Sequence, residues 1–388
     1  MFSERTNWSL TRNRFTEAVE DLRMRGVNFL DLTASNPTRV ALTYDSAAIL
    51  HALQSPRALD YDPEPKGLLS AREAVVRYYH EASSAALDPQ DIVLTASTSE
   101  GYSYVFRLLC NAGDELLVPK PSYPLFEFLA DLHDVKLVPY PLIYDHGWQM
   151  DFHSMQKALT PRTRGVVIVH PNNPTGSYVK ATEFASLNDF CRSHELALIV
   201  DEVFLDYSLD SQSHSTFATN RDVLTFTLSG LSKISALPQM KVAWIVTSGP
   251  NDLVGTAIAR LEIIADTYLS MNAPVQWAIP TLLEQRSDIQ RQLMERVHAN
   301  LQELDRQLAL QKSSQRLQVE GGWYAVLRVP VTQSDEQLSI DLVRQKSVLV
   351  HPGHFYDFES DGYLVLSLIP QVNDFREGVS RVLAHLNA

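Results

Sequence analysis

A short apolar run, Val223-Leu224-Thr225-Phe226-Thr227-Leu228, is followed at once by Ser229-Gly230-Leu231-Ser232-Lys233. The first part has the length and composition of a buried β-strand, and the second is typical of a strand-to-helix turn. A flexible amine on a turn at the end of a buried strand is well placed to form a Schiff base. Most lysines on such turns are simply solvated charges, so a chemical role for Lys233 requires partners elsewhere in the chain.

Apolar runs of similar length recur along the preceding and following sequence. Counting the run before Lys233 there are seven, at residues 92–94, 116–118, 135–138, 166–169, 196–200, 223–228 and 242–246. Most are separated by segments able to form helices, which predicts an α/β fold with a seven-stranded, mostly parallel sheet covered on both faces. In such sheets ligands bind beyond the carboxyl ends of the strands, so that edge is where a site is expected.

The remainder of the chain has a different rhythm. Residues 250–312 read as long helices, and strand-like runs resume at 323–327, 348–350 and 363–368. A chain of 388 residues is long enough for two domains. We therefore expect an N-terminal arm with part of a small domain in residues 1–45, a large domain carrying the site in 46–270, and a linker helix with a smaller α+β domain in 271–388.

Composition and charge exclude several classes of protein. The formal net charge is −13, which argues against binding to nucleic-acid backbones and to anionic membranes. Two cysteines, Cys110 and Cys191, are too few for a disulfide framework and are expected to be buried thiols. The N-terminus has no signal-peptide pattern, and no apolar run is long enough to cross a membrane, so a cytoplasmic location is expected. We assign no metal ligands.

Polar groups follow the predicted strands at the same edge of the sheet. Ser97 and Thr98 open a helix after the first strand, where Ser97 and Glu100 fit a capping box. Free backbone N–H groups at such a helix terminus also make a phosphate site, although an ordinary capped helix explains the same residues. After the second strand, Tyr123 lies on a proline-rich turn, where it is either a stacking surface for a planar ligand or surface packing.

The next two strands end in an amide and a carboxylate. Asn173 is presented by the constrained loop His170-Pro171-Asn172-Asn173-Pro174-Thr175-Gly176. Asp201 follows a run of five apolar residues and is expected to be buried, and buried carboxylates are paired or functional. A phosphate cradle, an aromatic ring, an amide, a carboxylate and the amine of Lys233 suit a planar phosphorylated aldehyde with a ring nitrogen. This set predicts pyridoxal 5′-phosphate (PLP) chemistry.

With these residues in place, the chain resembles the class I/II aminotransferases, which are fold-type I PLP-dependent enzymes. The resemblance runs from Asp31 to about Phe375, and its most specific pieces are 172–176, 201–203 and Ser232-Lys233. It implies that Lys233 is the Schiff-base lysine and proton shuttle, and that Asp201 pairs with the pyridine nitrogen. The remaining implied contacts with the cofactor come from Ser97, Thr98, Tyr123, Asn173, Ser229, Ser232 and Lys241, and from Tyr61 of a neighbouring subunit. The last of these implies a homodimer with shared active sites.

Three positions depart from the family pattern. Lys241 stands where an arginine usually grips the phosphate, and Phe204 stands where a tyrosine often bonds the phenolic oxygen; Tyr207 is a candidate replacement for that hydroxyl. Val365 stands where an arginine usually binds the substrate carboxylate. Candidate substrate contacts in its place are Asn36, Arg39 and Arg328.

The resemblance implies a PLP-dependent aminotransferase, with an internal aldimine at Lys233 and a pyridoxamine phosphate intermediate. Its expected substrates are a small-molecule amino donor and an oxo-acid acceptor. A PLP-dependent lyase, decarboxylase or cyclase on the same fold is the alternative, since the missing arginine at Val365 leaves the substrate open. A non-catalytic PLP-binding regulator is disfavoured, because the segment before Asp31 is too short for a DNA-binding domain.

Overall fold

The computed structural model describes residues 1–210 and 214–387. Within those residues the α-helices are α1 Arg14–Met24, α2 Ser46–Ala52, α3 Leu69–Ser83, α4 Thr98–Leu109, α5 Leu125–Leu132, α6 Phe152–Ala158, α7 Ala181–Ser193, α8 Leu231–Ile234, α9 Asn251–Tyr268, α10 Ala273–Glu284, α11 Arg286–Leu308, α12 Asp335–Asp341 and α13 Val372–Leu386. The strands are β1 Leu30–Asp31, β2 Ile92–Thr95, β3 Glu115–Lys120, β4 Lys136–Tyr144, β5 Trp148–Met150, β6 Thr163–Val169, β7 Ala197–Asp201, β8 Thr225–Gly230, β9 Ala243–Ser248, β10 Gln315–Arg316, β11 Tyr324–Arg328, β12 Val348–Leu349, β13 His351–Pro352 and β14 Tyr363–Ser367.

In the described part of the chain, the largest sheet has eight strands in the order β2-β9-β8-β7-β6-β3-β4-β5. From β8 to β4 the neighbours are parallel, whereas β9 is antiparallel to both β8 and β2. All seven predicted runs form strands, and the α/β prediction is confirmed. The count of seven was one too low, because β5 is a three-residue edge strand joined to β4 by a hairpin and has no continuous apolar run.

The central strands are buried on both faces, as their apolar runs require. Alternate residues of β6 enter two different apolar clusters: Val167 and Val169 pack beneath α4, α5 and α9, whereas Val166 and Ile168 pack beneath α6 and α7. The period of two along a strand therefore divides one apolar run between two helical layers.

Around the C-terminal sheet lies a separate apolar cluster. Strands β10, β11, β14 and β13 form an antiparallel sheet that packs with α11 and α13. The predicted strands at 323–327 and 363–368 pair with each other, but β12 pairs in parallel with β1 instead of joining this sheet. Leu32 and Val40 from the N-terminal segment belong to the same cluster.

Both cysteines are free thiols; Cys191 is buried as predicted, whereas Cys110 is partly exposed. None of the helices in the described residues is long and apolar enough to cross a membrane. No group of three or more metal-ligating side chains occurs among the same residues.

Gly176 closes the loop that carries Asn173 and lies against residues 319–321. Its φ of +69° is in the left-handed region, and its carbonyl accepts hydrogen bonds from the N–H groups of Glu320 (3.2 Å) and Gly321 (2.9 Å). A Cβ at this position would lie 2.5 Å from the carbonyl oxygen of Gly321 and would also collide with Val319. Glycine is therefore required here both by backbone conformation and by close approach.

Replacing Gly176 with alanine should lower the free energy of unfolding by about 2–4 kcal/mol, from left-handed strain plus overpacking. The matched control is Gly26→Ala, because Gly26 has a similar φ of +73° but an added Cβ there would have no neighbouring atom within 4 Å. The free energy of unfolding of Gly26→Ala should fall only by the cost of left-handed strain, about 1 kcal/mol. Urea unfolding measures both, and equal losses would contradict a steric role for Gly176.

Candidate functional site

A cavity of about 240 Å³ lies at the carboxyl edge of the main sheet. It is bordered by the ends of β6, β7 and β8, by the N-terminus of α4 and by the start of β11. The residues named from the sequence that line it are Thr98, Tyr123, Asn173, Asp201, Ser232 and Lys233. Parallel strands bring these separate segments together because their carboxyl ends share one edge.

Lys233 lies on α8, directly after β8. Its Nζ is 5.0 Å from the ring centroid of Trp323 and 5.3 Å from that of Phe204. Burial lowers the pKa of Lys233 to about 8, although the charge of Asp201 opposes this shift. Tyr207 donates its hydroxyl to the backbone carbonyl of Lys233 at 2.6 Å. That hydroxyl therefore holds the lysine segment and is not a free replacement for the one absent at Phe204.

Asp201 ends β7 and has two fixed hydrogen-bond donors. The N–H of Val203 donates to Oδ1 at 3.0 Å, and the hydroxyl of Tyr102 donates to Oδ2 at 3.2 Å. Burial raises the pKa of Asp201 to about 6, and these hydrogen bonds oppose the increase. At neutral pH Asp201 is therefore mostly a carboxylate and Lys233 mostly an ammonium.

Sequence reasoning missed Tyr102, although one signal was present. Tyr102 follows Thr98 by four residues on α4, so both side chains lie on the same face of the helix. Since Thr98 had been assigned to the strand-end edge, that spacing could have indicated Tyr102 as well. Its ring also lines the cavity.

The loops that carry Asn173 and Tyr123 are tied together. The side chain of Asn172 donates from Nδ2 to the carbonyl of Pro121 at 2.9 Å, and Ser122 donates its hydroxyl to Asn172 Oδ1 at 3.3 Å. Asn173 itself is 8% exposed, and its Oδ1 has no hydrogen-bond partner among the described residues. A buried amide lacking a partner at the wall of a cavity indicates a position prepared for a polar ligand.

The N-terminus of α4 is built around Ser97. Its Oγ accepts from the N–H of Glu100 at 3.1 Å, so this hydroxyl caps the helix and does not line the cavity. The return half of the expected capping box is shifted by one residue, because the carboxylate of Glu100 accepts from the N–H of Ala96 at 2.6 Å. Thr98 and the following Ser99 are the hydroxyl residues that face the cavity.

Three further sequence-predicted cofactor contacts lie outside this cavity. Ser229 is buried and donates its hydroxyl to the carbonyl of Glu202 at 3.4 Å. Lys241 is exposed on a left-handed turn before β9. Tyr61 is 84% exposed and borders a different cavity of about 340 Å³, near Trp277.

The predicted substrate contacts also lie outside the 240 Å³ cavity. Asn36 accepts from the N–H and hydroxyl of Thr38, at 3.0 and 2.7 Å, and thereby caps a short 3-10 turn. Arg39, at the end of that turn, is exposed. Arg328 is exposed at the end of β11 and borders a third cavity of about 310 Å³.

Val365 belongs to the apolar core around the small sheet and does not line the 240 Å³ cavity. This residue is buried between Val326 and His351 in the register of the sheet. Burial lowers the pKa of His351 to about 4, so its imidazole is uncharged at neutral pH. Tyr324, two residues before Val326 and so on the same face of β11, lines the cavity, as does Ser35. Tyr324 and Ser35 were not identified from the sequence, since their position depends on strand register.

Comparison with known proteins gives the same family along almost the whole chain. The family model for aminotransferase class I and II matches residues 27–373. Glutamate-pyruvate aminotransferase AlaA of Haemophilus influenzae is 28% identical over 94% of this chain and 92% of its own length. Alanine aminotransferase of Mycobacterium tuberculosis is also 28% identical, over 93% of this chain and 86% of its own length.

Solved structures agree with these matches. An aminotransferase from Escherichia coli superposes with a TM-score of 0.87 at 26% identity, covering 100% of this chain and 98% of that one. Alanine aminotransferase from Pyrococcus furiosus superposes with a TM-score of 0.91 at 21% identity over the full length of both chains. The fold and the family expected from residues 172–176, 201–203 and 232–233 are thereby confirmed, and the chain belongs to the aminotransferase class I and II family.

Proposed function

We propose that this aminotransferase binds PLP in the 240 Å³ cavity and moves an amino group between an amino-acid-like donor and an oxo acid. The observation that carries the proposal is the convergence of the amine of Lys233, the carboxylate of Asp201 and the amide of Asn173 on one cavity. The members of the family are PLP-dependent aminotransferases, and they act on small amino and oxo-acid substrates.

The donor set of the cavity fits PLP. Asp201 would pair with the protonated ring nitrogen, Asn173 would donate from its amide nitrogen to the phenolic oxygen, and Tyr123 would stack on the ring. The phosphate would be held at the N-terminus of α4 by Thr98 and Ser99, where free N–H groups favour an anion, and by Ser232. Ser97 and Ser229 would act indirectly. Ser97 caps α4, and Ser229 donates its hydroxyl to the carbonyl of Glu202.

When bound, PLP supplies an aldehyde that takes up the amino group and a ring that draws electrons from the substrate α-carbon. Lys233 contributes an amine whose pKa of about 8 suits it to give and take protons near neutral pH. Tyr207 fixes the backbone from which that amine extends. The negative charge of Asp201 would stabilise the protonated form of the ring nitrogen beside it.

The substrate side of the proposal uses Tyr324 and Ser35. Both residues line the cavity, and Tyr324 lies two residues from Val326, the cross-strand partner of Val365, so their hydroxyls are candidates to hydrogen-bond a substrate carboxylate in place of an arginine. Proteins similar to this chain are named for alanine and for glutamate and pyruvate, and alanine is the smallest of these amino donors. We include alanine as the first donor to test.

A homodimer belongs to the same proposal. Tyr61 is 84% exposed and the nearby Leu59 is 91% exposed, so this part of the chain presents apolar surface beside the 340 Å³ cavity. Contact with a second copy would bury these side chains and bring Tyr61 toward the neighbouring site.

Lys233→Ala should abolish amino transfer and remove the absorbance band of PLP joined covalently to the protein, leaving that of the free aldehyde, because no other described amine lines the cavity. The control is Lys136→Ala, since Lys136 is exposed at the opposite end of a strand. Absorbance spectra with and without amino donors, together with product assays, measure the effect. A covalent-adduct band retained in the Lys233 variant without added donor would contradict the assignment.

The reaction of the cofactor-free protein with PLP should accelerate from about pH 6 and level off above about pH 8, because only the neutral amine of Lys233 attacks an aldehyde. The direction follows from burial, which lowers this lysine's pKa and so makes the neutral amine available at lower pH. Stopped-flow absorbance gives the rate constant. A rate that keeps rising to about pH 10 would indicate an ordinary exposed lysine instead.

Tyr324→Phe should raise the KM for alanine about tenfold with a smaller change in kcat, since one hydrogen bond to a carboxylate is lost. Tyr356→Phe is the matched control. The hydroxyl of Tyr356 contacts His351 Nδ1 at 3.1 Å, and Tyr356 does not line the cavity. Steady-state kinetics separate the two constants. Equal KM values for the two variants would remove Tyr324 from the substrate site.

A further inference from the structure

Tyr102 makes a contact with Asp201 that the proposed chemistry does not yet use. Its hydroxyl donates to Asp201 Oδ2 at 3.2 Å, while the N–H of Val203 occupies Oδ1. A carboxylate has about four acceptor positions, so Oδ2 keeps one free for a further donor. Tyr102 therefore fixes the orientation of the carboxylate without blocking it.

The ring of Tyr102 is itself held in place. It is 2% exposed and packs edge-on against Phe126, with ring centroids 5.1 Å apart, and against Phe106 at 5.9 Å. Burial and the neighbouring carboxylate raise the pKa of its hydroxyl well above the usual value, so the group stays a neutral donor. A rigid neutral donor can orient a carboxylate without neutralising its charge.

Helix α4 connects this contact to the opposite end of the cavity. Thr98 and Ser99 lie in its first turn and face the cavity, and Tyr102 follows Thr98 by four residues, a rise of about 6 Å along the axis. Ser97 caps the same helix. One rigid element thus sets the distance between the anion-binding helix terminus and the carboxylate of Asp201.

We infer that Tyr102 is a positioning residue that holds Asp201 for the ring nitrogen of the cofactor, so that α4 fixes both ends of the bound group. The inference rests on the proposed function, because it takes the cavity to be the PLP site. Tyr102 acts only through Asp201 and makes no bond to the reacting atoms.

The test compares binding of two ligands to the full-length chain freed of cofactor. One is pyridoxamine 5′-phosphate, which needs no covalent bond to Lys233, and the other is its analogue with carbon in place of the ring nitrogen. Tyr102→Phe should weaken pyridoxamine phosphate about tenfold, the order expected for one hydrogen bond to a charged group, and should leave the analogue within about twofold. Calorimetric titration gives both dissociation constants.

Two controls separate positioning from packing. Tyr104→Phe removes a hydroxyl from the same helix at a residue that borders the other, 340 Å³ cavity, and should leave both affinities unchanged. In an Asp201→Ala background, adding Tyr102→Phe should cause no further loss, because the two residues act as a unit. Thermal unfolding checks that each variant is folded, and the phenylalanine retains the packing on Phe106 and Phe126.

Equal weakening of both ligands by Tyr102→Phe would overturn the inference, since it would show a general change of the cavity. A full additional loss in the Asp201→Ala background would overturn it as well. If neither ligand binds the unsubstituted protein, the proposed function fails first. If the unsubstituted protein binds both but Tyr102→Phe changes neither affinity, only the role of Tyr102 fails.

Discussion

The structure of the site depends on two opposite charges, Asp201 and Lys233, which are partly buried at the ends of neighbouring strands. Burial disfavours the charged form of each, which raises the pKa of the acid to about 6 and lowers that of the amine to about 8. Each charge partly offsets the shift of the other. Both groups can therefore be ionised at neutral pH while the pKa of each stays close to that pH. Proton transfer is most efficient under that condition.

This pair is held by backbone and hydroxyl donors and not by direct contact. The carboxylate has a peptide N–H and a phenol as donors, whereas the lysine is fixed through its own carbonyl by Tyr207. The amine itself lies over the rings of Trp323 and Phe204, where the face of an aromatic ring attracts a cation. The amine is thereby left free to react while its backbone is not free to move.

The sequence predicted most of the large sheet because its strands are buried on both faces. Apolar runs such as residues 166–169 have the length and composition of a strand buried on both faces, and each of them forms a strand. The short β5 was missed because it is an edge strand, and the pairing of β1 with β12 was missed because partners far apart in sequence leave no local signal.

The residues of the site also fall into a group that the sequence predicted and a group that it did not. Lys233, Asp201 and Asn173 follow the ends of strands, so the topology alone assigns them to one edge, and the structure has all three at one cavity. Tyr102 could have been found from its helical spacing to Thr98, whereas Tyr324 depends on the register of a distant sheet, which the sequence does not specify.

With valine at position 365, the described lining of the cavity contains no arginine. An arginine at this place would bring a fixed charge, whereas Tyr324 offers a hydroxyl and His351 is held uncharged by burial. A neutral hydroxyl donates one hydrogen bond to a carboxylate, whereas an arginine offers a bidentate pair and its own charge, so a carboxylate bound here loses less by being replaced with an uncharged group. Within the described lining, the hydroxyls, the amide of Asn173 and the amine of Lys233 are therefore the side-chain donors available to a substrate carboxylate.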